Sequence, residues 1–522
     1  MVALDVEELY ERLGILGNFQ IFVVVMYTIG ERVTAGLLDF QVHILSVTPG
    51  WTCISDNCVN LTLNQTYFHK SLLCMMEDDE WEWDGTRSNL VNQFNLTCGN
   101  TYKISLGSTL FFIGYPLGSL LIGMIADWLG RKWLATGFLL MTGLVNCCAA
   151  LLSSYDTFIV FRAIEGFCIG GLTVTFYPLL IEYLGAGARN LANVVAQCGY
   201  GLGMAFLCFA ASYITSWRAV VIATSAHLFF VALLLASNIP ESPRFLLKNK
   251  KDDEAKQVLK IMASWNKVDL PEVFEITSTD EPSETERAWK LFTYSRYTCA
   301  ATLAQMFIWF TAALYFFALS FNMNDVLGNP YLNLAVTGIM EILINVCSYF
   351  FIDRIGRRWC MLVSFLLCGI SVGICRFLPH QNLHYTHFSV KTFWVIFGRA
   401  VGGFIYSLVY LYSAEIFATT VRSSGLGLCV CAAQISSLIA PFVIVIHEDN
   451  ANLVYTTLFL FCILAFLASW ILPETANLPL PATVAEMDAM KYRNYTIFTE
   501  KSPLITNDLL QSNKDKEIGD LK

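Results

Sequence analysis

Twelve long apolar stretches, joined by polar turns, dominate the pattern along this chain. A helix needs about twenty apolar residues to cross the hydrocarbon core of a bilayer, and each stretch reaches or approaches that length. The pattern therefore predicts an all-α membrane protein with twelve transmembrane helices. They are expected near residues 16–46, 103–126, 133–154, 156–184, 190–214, 218–238, 296–322, 331–353, 359–377, 390–418, 423–446 and 452–472.

Three polar segments interrupt the apolar pattern and divide the chain. Residues 48–100 form a long polar loop, residues 241–295 are rich in charge, and the sequence after 478 is polar. We therefore expect two six-helix halves on either side of a linker. The predicted regions are an N-terminus at 1–15, a first half at 16–238, a linker at 239–295, a second half at 296–478 and a tail at 479–522.

Composition agrees with a membrane protein. Hydrophobic residues make up 55% of the 522 positions and charged residues 14%, whereas soluble domains carry about 25% charged residues. The net charge of −9 is modest, and much of the acid lies outside the predicted helices, so no nucleic-acid partner is expected. The first fifteen residues are polar and the apolar run after them is too long for a cleaved signal peptide, so that run is expected to remain as the first helix.

Basic residues mark one end of the predicted bundle. They follow the second, fourth, sixth, eighth and tenth spans, and loops rich in Lys and Arg stay on the cytoplasmic side. Both termini should then be cytoplasmic and the 48–100 loop should face outward. The marker residues are Arg131, Lys132, Arg189, Arg244, Lys248, Lys250, Lys251, Arg354, Arg357, Arg358 and Arg422.

The 48–100 loop carries two signals of an outer compartment. Glycosylation of asparagine and disulfide formation both belong to that compartment, which agrees with the charge pattern. Four cysteines allow three pairings, and all three stay open. The candidate sites are the sequons at Asn60, Asn64 and Asn95 and the cysteines Cys53, Cys58, Cys74 and Cys98.

The two predicted halves repeat a set of charged positions. Glu182 and Glu415 lie 233 positions apart, and so do the Pro-Glu pairs that follow the sixth and twelfth spans. Such duplication is typical of transporters, in which two halves move about a site near the middle of the membrane. The repeated charges are Asp127, Arg131, Glu182, Arg189 and Glu241 in the first half and Asp353, Arg357, Glu415, Arg422 and Glu474 in the second.

We expect these repeated charges to form salt bridges that close the inner mouth of a transport path. A charge at the membrane face is costly unless it is paired. Breaking a buried pair costs about 3–5 kcal/mol, a scale that suits a gate with two populated states. The alternative is that the charges only cap helices and set the topology.

Several motifs resemble those of a known family. Gly123-x-x-x-Asp127-x-x-Gly130-Arg131-Lys132 resembles the signature loop of the major facilitator superfamily. Pro240-Glu241-Ser242-Pro243-Arg244 is similar to the sequence after helix six of its sugar porters and organic ion transporters. With Trp309-Phe310-Thr311 and Leu472-Pro473-Glu474-Thr475, the match over residues 8–481 resembles solute carrier family 22, the organic cation, carnitine and organic anion transporters. The resemblance implies the major facilitator fold and polyspecific, often facilitative transport of small organic ions at the plasma membrane.

Two positions bear on the charge of the substrate. Glu341 lies near the middle of the eighth span, and the resemblance to the cation and carnitine branches implies that this acid contacts or tunes the site. In the eleventh span the cation branch has an acid and the anion and carnitine branches have an arginine, whereas this chain has Gln434. A neutral amide hydrogen-bonds with either sign of charge, which suits a zwitterion.

The first span contains charges where the family usually has apolar residues. Glu31 lies near its middle with Arg32 beside it, and Asp39 follows. Glu31 could face the cavity and bind a cation or a proton, or it could pair with Arg32 or with another helix. Neighbouring residues on an α-helix point about 100° apart, so a mutual pair is unfavourable. In a third interpretation the helix starts late and these residues lie near the outer surface.

The resemblance also implies four uncharged substrate contacts. Trp309 and Phe316 in the seventh span would stack on a positive group. Gln197 and Tyr200 in the fifth span match family positions that face the substrate.

These patterns predict a carrier of small organic cations or zwitterions that works by alternating access, without a cofactor or catalytic site. An organic anion carrier, with Arg162 and Arg399 as partners, is the alternative within this class. A non-transporting receptor or scaffold is the alternative outside it. His380, His384 and His387 share a short outer loop where a metal site is not expected. The predicted partners are the small organic ion and the lipid bilayer, and the oligomeric state is left open.

Overall fold

The computed structural model describes most of the chain. The described residues are 2–5, 10, 12–14, 16–55, 73–74, 76–77, 80–185, 188–269, 274–277, 289–322, 329–378, 390–418, 420–446, 451–476, 481 and 483–496. The predicted sites that lie outside them are Asn60, Asn64, Cys58, His380, His384 and His387. For Asp127, Arg189 and Asp353 the structure describes the backbone and not the side chain.

Each of the twelve predicted spans is a helix in the described part of the chain, and each is long and apolar enough to cross a membrane. The first contains a wide π-helical turn at Thr28–Val33 and is followed by one further turn, Gln41–Leu45. The helices are α1 (Asn18–Asp39), α2 (Tyr102–Leu129), α3 (Arg131–Ala149), α4 (Tyr155–Glu182), α5 (Arg189–Tyr213), α6 (Trp217–Asn238), α7 (Arg296–Phe321), α8 (Pro330–Ile355), α9 (Arg357–Phe377), α10 (Val390–Ile416), α11 (Arg422–Ile446) and α12 (Ala451–Ser469).

Successive helices run in opposite directions, so the bundle has two ends. We call the end that carries residues 48–100 the loop end. The opposite end carries the short helix Pro243–Lys248 and the longer linker helix Asp252–Asn266, and we call it the linker end.

Two glycines make the tight turns that reverse the chain at the linker end. Gly130 joins α2 to α3 with a φ of 92°, and Gly356 joins α8 to α9 with a φ of 96°. Residues with a side chain rarely adopt this conformation. A Cβ on either glycine would also lie 2.6 Å from a carboxylate oxygen, of Glu241 in the first half and of Glu474 in the second. The repeated sequence motif therefore corresponds to a repeated structure.

Helices α2 and α4 pack with their backbones in contact. A Cβ on Gly114 or Gly118 of α2 would overlap a main-chain carbonyl oxygen of α4. A Cβ on Gly166 or Gly170 of α4 would in turn overlap a carbonyl oxygen of α2. Small residues four positions apart allow such an approach in lipid, where close packing drives the association of helices.

The two halves touch toward the loop end and near the middle of the bundle. The Ser105 hydroxyl of α2 contacts the carbonyl oxygen of Pro441 of α11 at 3.5 Å. Where α5 crosses α8, a Cβ on Gly201 would lie 2.6 Å from the carbonyl oxygen of Gly338, and a Cβ on Gly338 would lie as close to that of Gly201. The two halves are therefore in contact at these two crossings, from the middle of the bundle toward the loop end.

A small disulfide-bonded sheet lies within the 48–100 loop. Strands Trp51–Cys53 and Trp81–Trp83 pair antiparallel. Cys74 forms a disulfide with Cys98, which lies just before α2, and Cys53 is also disulfide-bonded. Asn95 of the third sequon is exposed in a left-handed turn, which leaves its side-chain amide accessible.

Arg87 ties this loop to both halves. Its Nη1 donates to the carbonyl oxygen of Ala211 near the end of α5 at 2.8 Å. Its guanidinium lies 5.2 Å from the ring centroid of Tyr331 at the start of α8. The last carbonyl groups of a helix have no partner within it, so a cation here is stabilising.

The linker helix Asp252–Asn266 caps the first transmembrane helix. Asn266 Oδ1 accepts a hydrogen bond from the backbone N–H of Phe19 at 2.9 Å. An N–H in the first turn of a helix has no partner within that helix. Asn266 therefore acts as an N-cap residue does, although it is distant in sequence. Nearby, strand Phe274–Thr277 of the linker pairs in parallel with Val2–Asp5.

Candidate functional site

Among the described residues, seven carboxylate and guanidinium side chains lie in the interior of the bundle, away from both ends. Six belong to residues that are less than a tenth exposed, and the side chain of the seventh, Arg32, is 14% exposed. Ionisable side chains inside a membrane protein are costly, and they commonly mark functional sites. The set consists of the carboxylates of Glu31, Asp39, Glu165 and Glu341 and the guanidinium groups of Arg32, Arg162 and Arg399.

The π-helical turn Thr28–Val33 of α1 places two of these charges in the interior. Glu31 Oε1 accepts a hydrogen bond from the Thr173 hydroxyl of α4 at 2.9 Å. Arg32 Nη2 donates to Gln197 Oε1 of α5 at 2.6 Å. Single π turns inside α-helices are frequent at functional sites.

Glu31 and Arg32 form only a loose mutual pair, as their neighbouring positions on one helix predict. Arg32 Nε lies 3.7 Å from Glu31 Oε2, and neither atom has a hydrogen-bond partner among the described atoms. The interpretation of a late start is wrong, because α1 begins at Asn18 and Glu31 is 1% exposed.

Each half holds one buried pair of an arginine and a carboxylate. In the first half Arg162 Nη1 lies 2.6 Å from Glu165 Oε2. In the second half Arg399 Nη1 lies 3.1 Å from Glu341 Oε2. The two arginines thus occupy matching positions in the two halves, and each pairs with a carboxylate of its own half.

Glu341 is therefore an ion-paired acid in this state and not a free charge that faces a cavity. It is 3% exposed. Its partner Arg399 lies 3.4 Å from the ring centroid of Phe316 and contacts the Met204 sulfur of the first half at 4.0 Å. The pair lies at the boundary between the halves, and a substrate that uses Glu341 competes with Arg399 for it.

Asp39 is the interior carboxylate that forms no salt bridge with the described basic residues. The Tyr200 hydroxyl of α5 donates to its Oδ2 at 2.9 Å. Its Oδ1 is buried without a hydrogen-bond partner among the described atoms. The sequence places Asp39 in the first apolar stretch, but it does not show this isolation, because the surrounding groups come from other helices.

Aromatic rings lie among these charges between the halves. Phe316 lies 5.7 Å from Tyr200 of the first half and stacks on Tyr406 of α10 at 5.6 Å. Trp309, a predicted substrate contact, is fully buried, and its indole N–H donates to Ser413 Oγ at 2.8 Å. Because its polar group is already bonded, Trp309 packs α7 against α10 in this state.

A cavity of about 30 Å³ lies between the halves on the linker side of Glu341. It has room for about one water molecule. Asn345 in its wall donates to the main-chain oxygen of Glu341 at 3.0 Å, so the cavity begins one turn from the buried pair. Gln434 is not part of this wall; it is half-buried on α11, with a buried Oε1 that has no hydrogen-bond partner among the described atoms. The lining residues are Asn193, Val194, Gln197, Asn345, Ser348, Tyr349, Ile352, Ser407, Leu408 and Leu411.

At the linker end, charged residues join helices within the first half. Arg131 of α3 and Glu182 of α4 form an ion pair. Glu241 accepts hydrogen bonds from the backbone N–H groups of Arg131 at 3.3 Å and Lys132 at 3.2 Å. A carboxylate thus caps the start of α3, where unpaired N–H groups and the helix dipole favour negative charge. Burial raises the pKa of the Glu241 carboxyl, although these N–H donors oppose the rise.

The second half repeats this arrangement. Arg357 Nε of α9 lies 3.0 Å from Glu415 Oε2 of α10. Glu474 accepts a hydrogen bond from the backbone N–H of Arg357 at 2.8 Å. Arg422 donates to the carbonyl oxygen of Phe417 at 3.2 Å within its own half. Each of these described contacts therefore joins elements of one half and does not bridge the two.

A family model and several known proteins match most of this chain. A family model described as "Sugar (and other) transporter" matches residues 59–485. A solute carrier family 22 member 15-like protein of Xenopus tropicalis is 29% identical over 411 residues, which cover 78% of this chain and 83% of that protein. The organic cation transporter protein of Drosophila melanogaster is 30% identical over 416 residues, which cover 76% of this chain and 74% of that protein.

Solved structures share the fold. The proton:xylose symporter XylE bound to 6-bromo-6-deoxy-D-glucose aligns with a TM-score of 0.59 at 15% identity, over 90% of this chain and 99% of that chain. The inward-open conformation of XylE from E. coli aligns with a TM-score of 0.58 at 16% identity, over the same shares of the two chains. The predicted twelve-helix fold of the major facilitator superfamily is confirmed.

Proposed function

We infer that this chain, which belongs to the sugar (and other) transporter family and within it to solute carrier family 22, carries small organic cations or zwitterions across the plasma membrane by alternating access. Membership of this family makes it a multi-pass membrane transporter and not an enzyme. Its relatives include an organic cation/carnitine transporter of Arabidopsis thaliana, 28% identical over 456 residues. We expect polyspecific, facilitative transport, with the basic linker end and both termini in the cytoplasm.

One observation supports the assignment of substrate charge, namely that the described interior residues include more carboxylates than guanidinium groups. With every group ionised, four carboxylates and three guanidinium groups leave one negative charge in the middle of the bundle. A charge at the centre of a membrane costs about 2.5–3.5 kcal/mol on insertion scales. A positive group that enters from solvent lowers this cost, whereas an anion raises it.

The Glu341–Arg399 pair adds a preference for substrates that carry both signs of charge. A simple cation that binds Glu341 leaves Arg399 without its partner, and removing one member of a buried pair costs about 3–5 kcal/mol. A zwitterion replaces both partners at once, with its positive group at Glu341 and its carboxylate at Arg399. The rings of Phe316 and Tyr406 offer π faces to the positive group beside the pair.

Alternating access requires two rigid halves whose mutual contacts break and re-form. The contacts of α2 with α11 and of α5 with α8 would be of this kind. The charge clusters at the linker end hold each half together in this state. We propose that they keep the halves rigid here and meet across the inner mouth in the opposite state, which would give Asp127, Arg189 and Asp353 their gating role.

Two alternatives make different predictions. An organic anion carrier needs an interior cation for its substrate, but Arg162 and Arg399 are already paired with carboxylates. A receptor or scaffold needs no second state, so the matched clusters in both halves favour a carrier.

Uptake by the Glu341→Gln variant tests the assignment. The substitution removes the negative partner of a bound cation and leaves Arg399 to repel it. Uptake of the permanent cation tetraethylammonium should fall at least about tenfold at equal surface expression, which corresponds to about 1.4 kcal/mol. Glu254→Gln on the exposed face of the linker helix is the matched control and should transport normally.

Three labelled compounds separate the alternatives in the same vesicles: tetraethylammonium, carnitine and benzoate. Flux of benzoate alone would favour the anion carrier. Binding of any of the three without flux would favour a receptor. Unchanged uptake of both tetraethylammonium and carnitine by Glu341→Gln would exclude Glu341 from the substrate site.

A further inference from the structure

Among the interior acids that the structure describes, Asp39 is the one without a guanidinium or ammonium group within salt-bridge distance. We propose that Asp39 takes up a proton when no cationic substrate is bound, so that the carrier exchanges a monovalent organic cation for a proton. The proposal rests on the proposed function and specifies the transport mode as exchange of a cation for a proton.

The pairing of the described interior charges isolates Asp39. Each of the other three carboxylates has a guanidinium nitrogen within salt-bridge distance, at 2.6 Å for Glu165, 3.1 Å for Glu341 and 3.7 Å for Glu31. Three acids and three arginines therefore cancel, and the excess negative charge resides on Asp39. This residue is 8% exposed, so solvent does not compensate its charge.

The hydrogen bond to Tyr200 serves both protonation states of Asp39. When the carboxylate is ionised, the Tyr200 hydroxyl donates to Oδ2 at 2.9 Å. When a proton is bound to Oδ2, the new O–H group donates back to the Tyr200 oxygen along the same contact. The other oxygen, Oδ1, has no donor among the described atoms, so the ionised form is only half satisfied. Proton uptake forms one O–H bond and breaks none within the protein.

The surroundings of Asp39 favour a species as small as a proton. Phe40 lies next to it in the chain, and its ring centroid is 6.3 Å from that of Tyr200 and 6.4 Å from that of Phe316. These rings belong to α5 of the first half and α7 of the second, so Asp39 lies where the halves meet. A proton enters between packed rings without displacing them, whereas an organic cation must separate them.

The groups that act on the charge of Asp39 come from every helix around it. The two arginines nearest to it in the first half, Arg32 and Arg162, are already engaged by carboxylates of their own. The titratable and charged neighbours are Glu31, Arg32 and His43 on α1 and its continuation, Tyr115 on α2, Arg162 on α4, Tyr200 on α5 and Tyr406 on α10.

Exchange follows from the charge of the interior in each transport step. When neither a monovalent cation nor a proton is bound, the interior carries one buried negative charge. When both are bound, it carries one positive charge. It is neutral when a monovalent cation or a proton is present alone. Because a buried net charge raises the energy of a conformational change across lipid, the neutral forms cross most readily. Cation and proton therefore take turns and move in opposite directions.

Proteoliposomes that contain the full-length protein test this exchange. Membrane potential is held at zero with potassium and valinomycin, and a proton gradient is imposed with the acidic side inside. One-for-one exchange should accumulate tetraethylammonium about tenfold per pH unit, because one unit corresponds to about 1.4 kcal/mol. Trapped pyranine should report an alkaline shift that accompanies uptake.

Two variants assign the proton to Asp39. Asp39→Asn keeps an oxygen that accepts from Tyr200 but cannot be protonated, so gradient-driven accumulation should be lost. Tyr200→Phe keeps the acid and removes the hydrogen bond, so the accumulation ratio reached at equilibrium should persist even where loss of a predicted substrate contact slows uptake. Its pH midpoint should move upward, because the ionised carboxylate loses its donor.

The outcomes are distinguishable. Downhill uptake without accumulation under the proton gradient would overturn the exchange and leave the proposed function standing, whereas no uptake of any compound would overturn the proposed function. Accumulation that is lost in Glu31→Gln but kept in Asp39→Asn would place the proton on Glu31 and overturn the assignment. If Asp39→Asn fails to fold, the midpoint shift of Tyr200→Phe decides, and an unchanged midpoint would count against Asp39.

Discussion

At the scale of single residues, Trp309 shows how a side chain suited to binding a cation can be committed to packing. Its indole N–H and the amide of Gln305 both donate to Ser413 Oγ at 2.8 Å. Its ring meets Tyr410 edge to face, with centroids 4.4 Å apart. These contacts fix α7 against α10, and any substrate that stacks on Trp309 must first disrupt them.

Trp309→Phe should therefore lower stability without changing selectivity. The substitution removes one buried hydrogen bond, worth about 1 kcal/mol, and keeps an aromatic ring. The melting temperature of the purified protein should fall, while the ratio of KM values for tetraethylammonium and carnitine should stay the same. Trp133→Phe on the exposed face of α3 is the control. A changed KM ratio at an unchanged melting temperature would place Trp309 in the substrate path.

The interior charges could be located from the sequence, but their pairing could not. An acid within a long apolar run is expected to be intramembrane, and that argument points to Glu31, Asp39 and Glu341. For Glu31 and Asp39 the sequence also allowed a place near the outer surface, and their burial comes from the structure. The partner of Glu341 is 58 positions away and the partner of Asp39 is 161 positions away, each on another helix. Hydropathy indicates that a residue lies within the membrane, but it does not indicate which helix its side chain faces. An isolated acid and a paired acid therefore cannot be distinguished in the sequence.

At the scale of elements, one turn is built twice. A glycine with positive φ ends a helix, and a carboxylate from the end of the same half caps the next helix. The repeat made this correspondence predictable, because Gly130 and Gly356 precede matched arginines and Glu241 and Glu474 follow matched prolines. The π turn of α1 could not be predicted in the same way, because one extra residue in a turn leaves the apolar run unbroken.

Glu241→Ala and Glu474→Ala should destabilise the protein by similar amounts. Each removes the acceptor for the first N–H groups of a helix, and loss of such a cap costs about 0.5–2 kcal/mol. The Gln variants keep a side-chain oxygen and should recover part of the loss. Thermal unfolding of the four purified variants measures this, and a large effect confined to one half would contradict the equivalence of the two turns.

At the scale of the whole molecule, the two halves meet at crossings where their backbones come close together. Gly201 and Gly338 are such a contact, since each backbone occupies the space that a Cβ on the other would need. Because the contact lies between halves, it bears on their relative position and not on the folding of either half. The two glycines can therefore separate closure of the loop end from stability.

Gly201→Val should hold the loop end open. Its Cβ would lie 2.6 Å from the Gly338 carbonyl oxygen, a distance that backbone atoms cannot accommodate without moving apart. Each 1.4 kcal/mol of strain in the closed state disfavours closure about tenfold, so uptake should fall at least that much at equal surface expression. In a Ser105→Cys background the introduced thiol should react faster with an impermeant maleimide applied from outside, because α2 no longer meets α11.

Gly137→Val provides the matched control, because a Cβ at this position of α3 meets nothing within 4 Å. It should leave both uptake and labelling unchanged, which separates the effect of closure from that of a larger side chain in a membrane helix. If Gly201→Val transported at the wild-type rate with the loop end unlabelled, the contact would tolerate a side chain and closure could not depend on it. Faster labelling with normal uptake would show that transport proceeds without this closed state, and the alternating-access scheme would need a different outer gate.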